Sequence, residues 1–275
     1  MKLTTLLSAL VGLLSVNAIP YALALDVRGE WQQGAVIYGK VELGSHVEFQ
    51  GRSLRLTEDG TFVIGLGRDA AKTAVISILD SSGKRQQYSY NVKQRTYQIQ
   101  RVTGVPQRTV TPDPKQVARS QREAQMATDA RKDDLPLDFF AQKFIWPLTG
   151  PISGVYGSQR FYNGAPNSPH YGVDIARPVG TLVKAPAAGV VTLVHPDMFF
   201  SGGTLIIDHG HGLSSTFIHL SKILVNKGDK IAQGQAIAKV GQTGRATGPH
   251  LDWRMNWFEE RVDPQLLVGA MPHSP

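Results

Sequence analysis

Six of the eight histidines of this 275-residue chain fall between positions 170 and 250, and two of them open runs in which polar and apolar side chains alternate. Taken as a strand, His170-Tyr-Gly-Val-Asp-Ile175 places His170, Gly172 and Asp174 on one face and Tyr171, Val173 and Ile175 on the other, because successive side chains point to opposite sides. Gly172 then leaves room between the two polar groups for an ion and water. The same device recurs in His250-Leu-Asp-Trp-Arg-Met-Asn-Trp257, where His250, Asp252, Arg254 and Asn256 oppose Leu251, Trp253, Met255 and Trp257. One such strand alone reads as a solvated sheet face. Two of them, each apolar behind and carrying imidazole and carboxylate in front, can pair into a metal site. His219, within Thr216-Phe-Ile-His-Leu-Ser221, is a third contributor.

Composition narrows the chemistry. The chain has no Cys, which excludes disulfide frameworks, thiol nucleophiles, Cys-ligated zinc, iron–sulfur clusters and amino-terminal lipoprotein anchors, so a metal must take His or carboxylate ligands. No Gly-x-Ser-x-Gly elbow is present to argue for a serine nucleophile. With 41% apolar residues the chain is too apolar for disorder, and its length suits two compact domains. Residues 1–24 read as an export signal: Lys2 is the charged start, Leu6 to Val16 the apolar core, and Ala22-Leu23-Ala24 the small-x-small cleavage site. No later segment is long and apolar enough to span a bilayer. The net charge of +7 suits an exported protein that meets anionic envelope polymers, and equally suits ordinary solubility; nothing points to nucleic acid.

The elements that must hold the polar faces are mostly strands. Val41 to Phe49, Ser53 to Leu56, Thr61 to Ile64, Thr73 to Leu79 and Gln86 to Val92 are short β-rich runs, with Asp59-Gly60 and Ser82-Gly83 as hairpin turns. They predict a small N-terminal β-sandwich within residues 25–103, an accessory module without a constellation of titratable groups. Pro112 to Pro114 punctuate the chain, and Gln116 to Lys132 form a charged spacer helix within a linker over 104–144. From residue 145 to 265 the composition shifts to Gly, Pro and β-branched residues, predicting a second, antiparallel β domain, with 266–275 as a tail.

At these residues the chain resembles the lysostaphin-type, or LytM-like, zinc metallopeptidases that cut peptidoglycan peptides. The first zinc motif of that family, His-x-x-x-Asp, stands at His170 to Asp174. The run Gly-x-x-Val-x-Ala-Pro-x-x-Gly-x-Val spans Gly180 to Val191, His219 precedes Leu-Ser, and Thr-Gly-x-x-x-Gly-Pro-His-Leu spans Thr243 to Leu251. The first half, notably Thr103-Gly-Val-Pro and Trp146-Pro, is similar to the β module that precedes this domain in exported Gram-negative members. The resemblance implies His170 and Asp174 as zinc ligands, His219 and His250 as the catalytic histidines, peptidoglycan as substrate and a Gram-negative periplasm as location.

One departure stands out. The final motif of the family is His-x-His, with the second His a ligand, and this chain has His250-Leu-Asp252. Asp252 is therefore the expected third ligand, since a carboxylate oxygen binds Zn²⁺ at about 2.0–2.2 Å. Two carboxylates would formally neutralise a divalent ion, making bound water less acidic and the site more tolerant of Mn²⁺. The implied reaction is metal-assisted amide hydrolysis in which His219 or His250 takes the proton of water and the imidazolium aids the oxyanion or the leaving amine. The alternative is a catalytically inactive member that binds peptidoglycan or activates a separate amidase.

His209 and His211, in Ile207-Asp-His-Gly-His-Gly212, form a deceptive His-x-His that the resemblance places at a hairpin turn. His195 follows a strand as a surface or gap-filling residue, and His46 and His273 lie outside the motifs. Arg160 is a candidate for a stem-peptide carboxylate, because guanidinium forks suit carboxylates; a solvated loop arginine reads equally well. Ala185 to Val191 and Lys227 to Gln235 also resemble the halves of biotinyl or lipoyl carrier domains, but the interval between them, at Asp208 to Gly212, lacks the modifiable Lys.

Overall fold

A computed structural model of the chain describes residues 25–103 and 113–272; the expected export signal at 1–24 and His273 lie outside the described residues. The N-terminal strands are β1 (Asp26–Arg28), β2 (Val36–Lys40), β3 (His46–Phe49), β4 (Arg52–Leu54), β5 (Thr61–Gly65), β6 (Thr73–Leu79) and β7 (Arg85–Asn91). They form two sheets, β1-β2-β5 and β4-β3-β6-β7, the expected small sandwich. Alternation explains the second sheet: in β6 Ala74, Ile76 and Ile78 are buried while the residues between them are not. Ser82-Gly83 closes the β6–β7 hairpin, with Asp80 Oδ1 accepting from the backbone of Ser82 and Lys84. Asp59-Gly60 also turns the chain, but it joins β4 to β5, which belong to different sheets.

The C-terminal half follows β8 (Ile99–Val102) and helix α1 (Pro114–Asp129). Its strands are β9 (Ile152–Gly154), β10 (Gln159–Tyr162), β11 (Ala165–Pro166), β12 (Gly172–Ala176), β13 (Leu182–Lys184), β14 (Gly189–Met198), β15 (Gly202–Asp208), β16 (Leu213–Leu220), β17 (Lys222–Ile223), β18 (Lys230–Ile231), β19 (Ala236–Lys239), β20 (His250–Trp257) and β21 (Glu260–Val262). A short helix α2 (Pro264–Val268) ends the fold. The main sheet has the order β18-β14-β15-β16-β20-β12-β9, with β21 added to β20, and β13-β19-β17 form a smaller sheet. Its paired strands run antiparallel.

Helix α1 starts where Asp113 caps the backbone N–H of Lys115, with Pro114 in the first turn, where its missing N–H is not needed. It is docked rather than a free spacer. Ala127 and Ala130 pack on Leu193, Met198 and Ile206, and Glu123 Oε2 accepts from the backbone N–H of Phe199 at 2.7 Å.

One apolar core runs through both halves, from Ile37, Val47 and Phe62 to Val173, Trp253 and Val262. Phe49 meets Trp257 edge to face at 5.9 Å, and Gly65 lies so close to Trp257 that a Cβ there would fall 2.5 Å from it. Strand β8 pairs in parallel with β10, joining the end of the N-terminal segment to the C-terminal half. Arg95 reaches across to Asp263, at 2.8 Å, and Asp263 also caps α2 through Gln265 N–H.

Asp263 is only 2% exposed, so its carboxylate depends on that guanidinium. Replacing Arg95 by Met leaves a buried charge unpaired, and we expect urea denaturation to show a loss of about 3 kcal/mol. An unchanged midpoint would show that this bridge between the halves is not coupled to folding.

Candidate metal centre

Strand pairing assembles the cluster. In the β12–β20 register Asp174 lies opposite Asp252, Gly172 opposite Arg254 and Ala176 opposite His250. Behind them Leu251, Trp253 and Met255 are fully buried with Val173 and Ile175, as the alternation requires. His170 sits just before β12. Its Nε2 stands 3.0 Å from Asp174 Oδ1 and 3.3 Å from Asp252 Oδ2. The three residues offer ligand atoms that all lie within 4.8 Å of one another.

His219 reaches the cluster by breaking the alternation. Ile218 is paired with Asp252 and so takes the face that Asp252 uses, which would send His219 to the other side in a regular strand. The backbone of His219 instead has φ +63°, the left-handed region that a non-glycine residue seldom enters. Its ring comes to 4.8 Å from the ring of His250.

The three imidazoles share one orientation. His170 Nδ1 faces the carbonyl of Val155 at 3.3 Å, His219 Nδ1 that of Thr243 at 2.8 Å, and His250 Nδ1 that of Gly248 at 2.8 Å. A carbonyl only accepts, so each Nδ1 carries a proton; His219 and His250 thereby keep the lone pair on Nε2, whereas His170 Nε2 faces two carboxylates, which also only accept, and holds a second proton there. His250 Nε2 lies 3.8 Å from Asp174 Oδ1. Nδ1–H donation to backbone is the arrangement that fixes metal-binding and catalytic imidazoles elsewhere.

Charge explains the titration behaviour. Burial pulls His170 down, but Asp174 and Asp252 overcome it and lift the imidazole to about 10. Burial would raise Asp252, yet the Arg254 guanidinium and His170 hold it well below the usual carboxylate range. Burial lowers His219, keeping its ring neutral.

Arg254 is the residue that the sequence reading placed on this face without giving it a role. Its Nε lies 2.9 Å from Asp252 Oδ1, and its Nη2 2.5 Å from Oδ2, a fork on a carboxylate that is 2% exposed. Two expectations change. The net charge of the cluster returns to that of a single carboxylate, so a bound dication would not be neutralised. The space above Gly172 is also filled: a Cβ there would fall 2.5 Å from Asp252 Oδ1 and 2.6 Å from Arg254 Cγ. Gly172 makes room for the Asp252–Arg254 fork, and Gly154 on β9 does the same for Asp174, whose Oδ2 would lie 2.3 Å from an added Cβ. The only signal of Arg254 in the sequence was its i+2 spacing from Asp252.

The donor set nevertheless fits a small divalent cation. His170 Nε2 and Asp174 Oδ1 are buried and complete no aligned hydrogen bond, although they face each other. Both are atoms that a cation between them would satisfy.

The remaining candidates lie elsewhere. His209 is wholly buried at the far end of the β15–β16 hairpin, with Nδ1 at 2.7 Å from Ala188 O and Nε2 at 2.8 Å from Ser215 Oγ; burial lowers it to about 4. His211 packs against Phe140 in the same turn. His195 lies on β14, where its Nδ1 accepts from Asp197 N–H, and His46 is on β3. Arg160 is held along the seam between β10 and β8, its Nε donating to Gln100 Oε1 at 3.0 Å.

Residues 168–264 match the model of Peptidase family M23. Peptidoglycan DD-endopeptidase ShyA of Vibrio cholerae is 44% identical over 90 residues, 32% of this chain and 20% of that protein. DD-carboxypeptidase/endopeptidase Mpg of Neisseria meningitidis is 37% identical over 103 residues, 38% of this chain and 24% of that one. The chain thus spans about a quarter or less of these relatives. A crystal structure of a protein assigned to peptidase M23 from Pseudomonas aeruginosa superposes with a TM-score of 0.67 at 30% identity, covering 88% of this chain and 97% of that one. With that extent of agreement beside the motif match, the chain belongs to peptidase family M23.

Proposed function

We propose that this protein is a zinc-dependent endopeptidase that hydrolyses cross-links or stem peptides of peptidoglycan, exported to the periplasm by its first 24 residues. The observation that carries the reading is convergence: His170, Asp174 and Asp252 gather their ligand atoms within 4.8 Å, with two further imidazoles beside them. The relative from Vibrio cholerae, named a peptidoglycan DD-endopeptidase, supports the substrate class. Across the described residues no helix is long and apolar enough to cross a membrane.

His170, Asp174 and Asp252 would hold the ion, and His and carboxylate donors suit Zn²⁺, with Mn²⁺ a second candidate. A bound zinc supplies Lewis-acid polarisation of the scissile carbonyl and a more acidic water. The protein supplies the proton path. His219 and His250 present unprotonated Nε2 atoms, fixed by their Nδ1–H bonds to Thr243 and Gly248, so either can accept a proton there and return it to the leaving amine. Val155 fixes His170 in the same manner, and Arg254 keeps Asp252 ionised.

One observation favours a second reading. Arg254 already occupies both oxygens of Asp252, as a cation would, and a chain in which it replaced the metal would bind peptidoglycan or activate another hydrolase without cutting.

Elemental analysis of the purified chain separates the two. We expect about one zinc per chain, and release of new peptide ends from cross-linked peptidoglycan that stops with chelator and returns with Zn²⁺. No metal and no cleavage would establish the second reading.

His219→Ala and His250→Ala should each lower turnover by ~10²- to 10⁴-fold while zinc content stays at the wild-type level. Loss of zinc from either variant would mean that the histidine is a ligand instead. Asp252→Ala should weaken zinc binding, measured by competition with a chromophoric chelator; unaltered affinity would remove Asp252 from the ligand set.

A further inference from the structure

Beyond Arg254 the polar face of β20 continues to Asn256, and there helix α1 comes to its end. Thr128, Arg131 and Lys132 from the helix terminus meet Asn256, Glu259 and Arg261 around a pocket of about 90 Å³. Since a water occupies roughly 30 Å³, this is room for one small oxyanion or a few waters.

The charges around it do not balance. Arg131 is only 8% exposed, and among the described residues its guanidinium makes no hydrogen bond or ion pair. The charges that act on it are those of Arg261 and Arg254, both of like sign, with Glu259 opposing them. Arg254 is committed to Asp252, and Glu259 is bonded to Arg52 at 3.1 Å. Arg261 has a neutral partner, its Nη1 donating to Asn256 Oδ1 at 3.3 Å. Lys132 is bridged to Asp129 at 3.0 Å. Burial and this crowding pull Arg131 to about 9 and Arg261 to about 10. The end of a helix attracts cations, but roughly half a negative charge, shared with Lys132, does not offset the buried guanidinium of Arg131 and the half-buried one of Arg261. Buried charges are normally paired, and guanidinium forks match carboxylate and phosphate oxygens.

We propose that this pocket binds a single oxyanion, a carboxylate or phosphate group, gripped by Arg131 and Arg261. On β20, Asn256 is four residues from Asp252, about 14 Å at strand rise, so the pocket is separate from the metal centre. That span equals about four residues of extended peptide, which makes a carboxylate on the substrate one source of the group and free phosphate the other. The site itself does not depend on the hydrolytic reading.

Isothermal titration of the full chain with inorganic phosphate, at constant ionic strength against chloride, tests the site. We expect saturable binding at one per chain, a higher thermal midpoint in phosphate, and roughly 10- to 100-fold weaker binding in Arg131→Met. In chloride that variant should melt at or above the wild-type temperature, because an unpaired buried charge has been removed. Arg261→Gln should weaken phosphate binding as well, and Arg160→Gln should leave it unchanged. Absence of saturable phosphate binding by the wild type would overturn the proposal. So would wild-type affinity in both Arg131→Met and Arg261→Gln, or a large drop of the Arg131→Met midpoint in chloride, which would reveal a structural partner for the guanidinium. Displacement of phosphate by an isolated stem tetrapeptide identifies a substrate carboxylate as the natural occupant; failure to displace it identifies a free anion.

Discussion

Two carboxylates face each other across adjacent strands, and the rest of the site is arranged around that repulsion. Asp174 and Asp252 occupy opposing positions in the β12–β20 ladder, where like charges destabilise a sheet unless something lies between or beside them. The structure answers it with two cationic groups and one polar neighbour. His170 inserts its Nε2 toward both carboxylates, Arg254 forks onto the deeper one, and His250, opposite the last residue of β12, approaches Asp174. The two carboxylates thus hold their places through the positive charge and the donors set around them.

Precision comes from the backbone. Each of the three imidazoles has its Nδ1 fixed by a backbone carbonyl, and two of those carbonyls belong to the turn that runs into β20. That turn is anchored in its own right, with Thr243 Oγ1 donating to Leu220 O and accepting from Gly203 N–H. The sheet beneath is buried along the length of β15 and β16, and the N-terminal sandwich shares its core. A site built this way moves only if the sheet does, which suits proton transfer at fixed Nε2 atoms.

Faces were legible in the sequence, and partners less so. A period of two is enough to put His170, Asp174, His250 and Asp252 in front of an apolar layer, and the pairing of β12 with β20 follows that pattern. The same alternation lists Arg254 on the polar face but says nothing about which group it bonds, since a side chain of that length reaches several neighbours. His219 needed a left-handed backbone at a non-glycine position, for which composition holds no sign. Strands β1 and β2 escaped because their short runs carry little alternation, and the parallel β8–β10 pair joins segments far apart in sequence. Helix α1 was recognisable from the prolines that precede it and from its charged composition. Its docking rests on small residues, Ala127 and Ala130, that are ordinary in any helix.

Asp252 and Arg254 are best understood as a unit. A carboxylate in place of an imidazole adds a negative charge to the ligand set, and the guanidinium two residues later removes it, so the cluster keeps the net charge that one carboxylate and two neutral imidazoles would have. The fork also shares the electron density of the oxygens, making Asp252 a weaker donor than a free carboxylate and leaving a cation correspondingly more electrophilic. Changing position 252 alone would therefore leave the arginine on this face with its counter-charge gone, near the further guanidinium groups of Arg131 and Arg261. The polar face of β20 thus carries a gradient, from imidazole and carboxylate at the metal end to uncompensated positive charge at the helix end, and Arg254 is the point at which the sign changes.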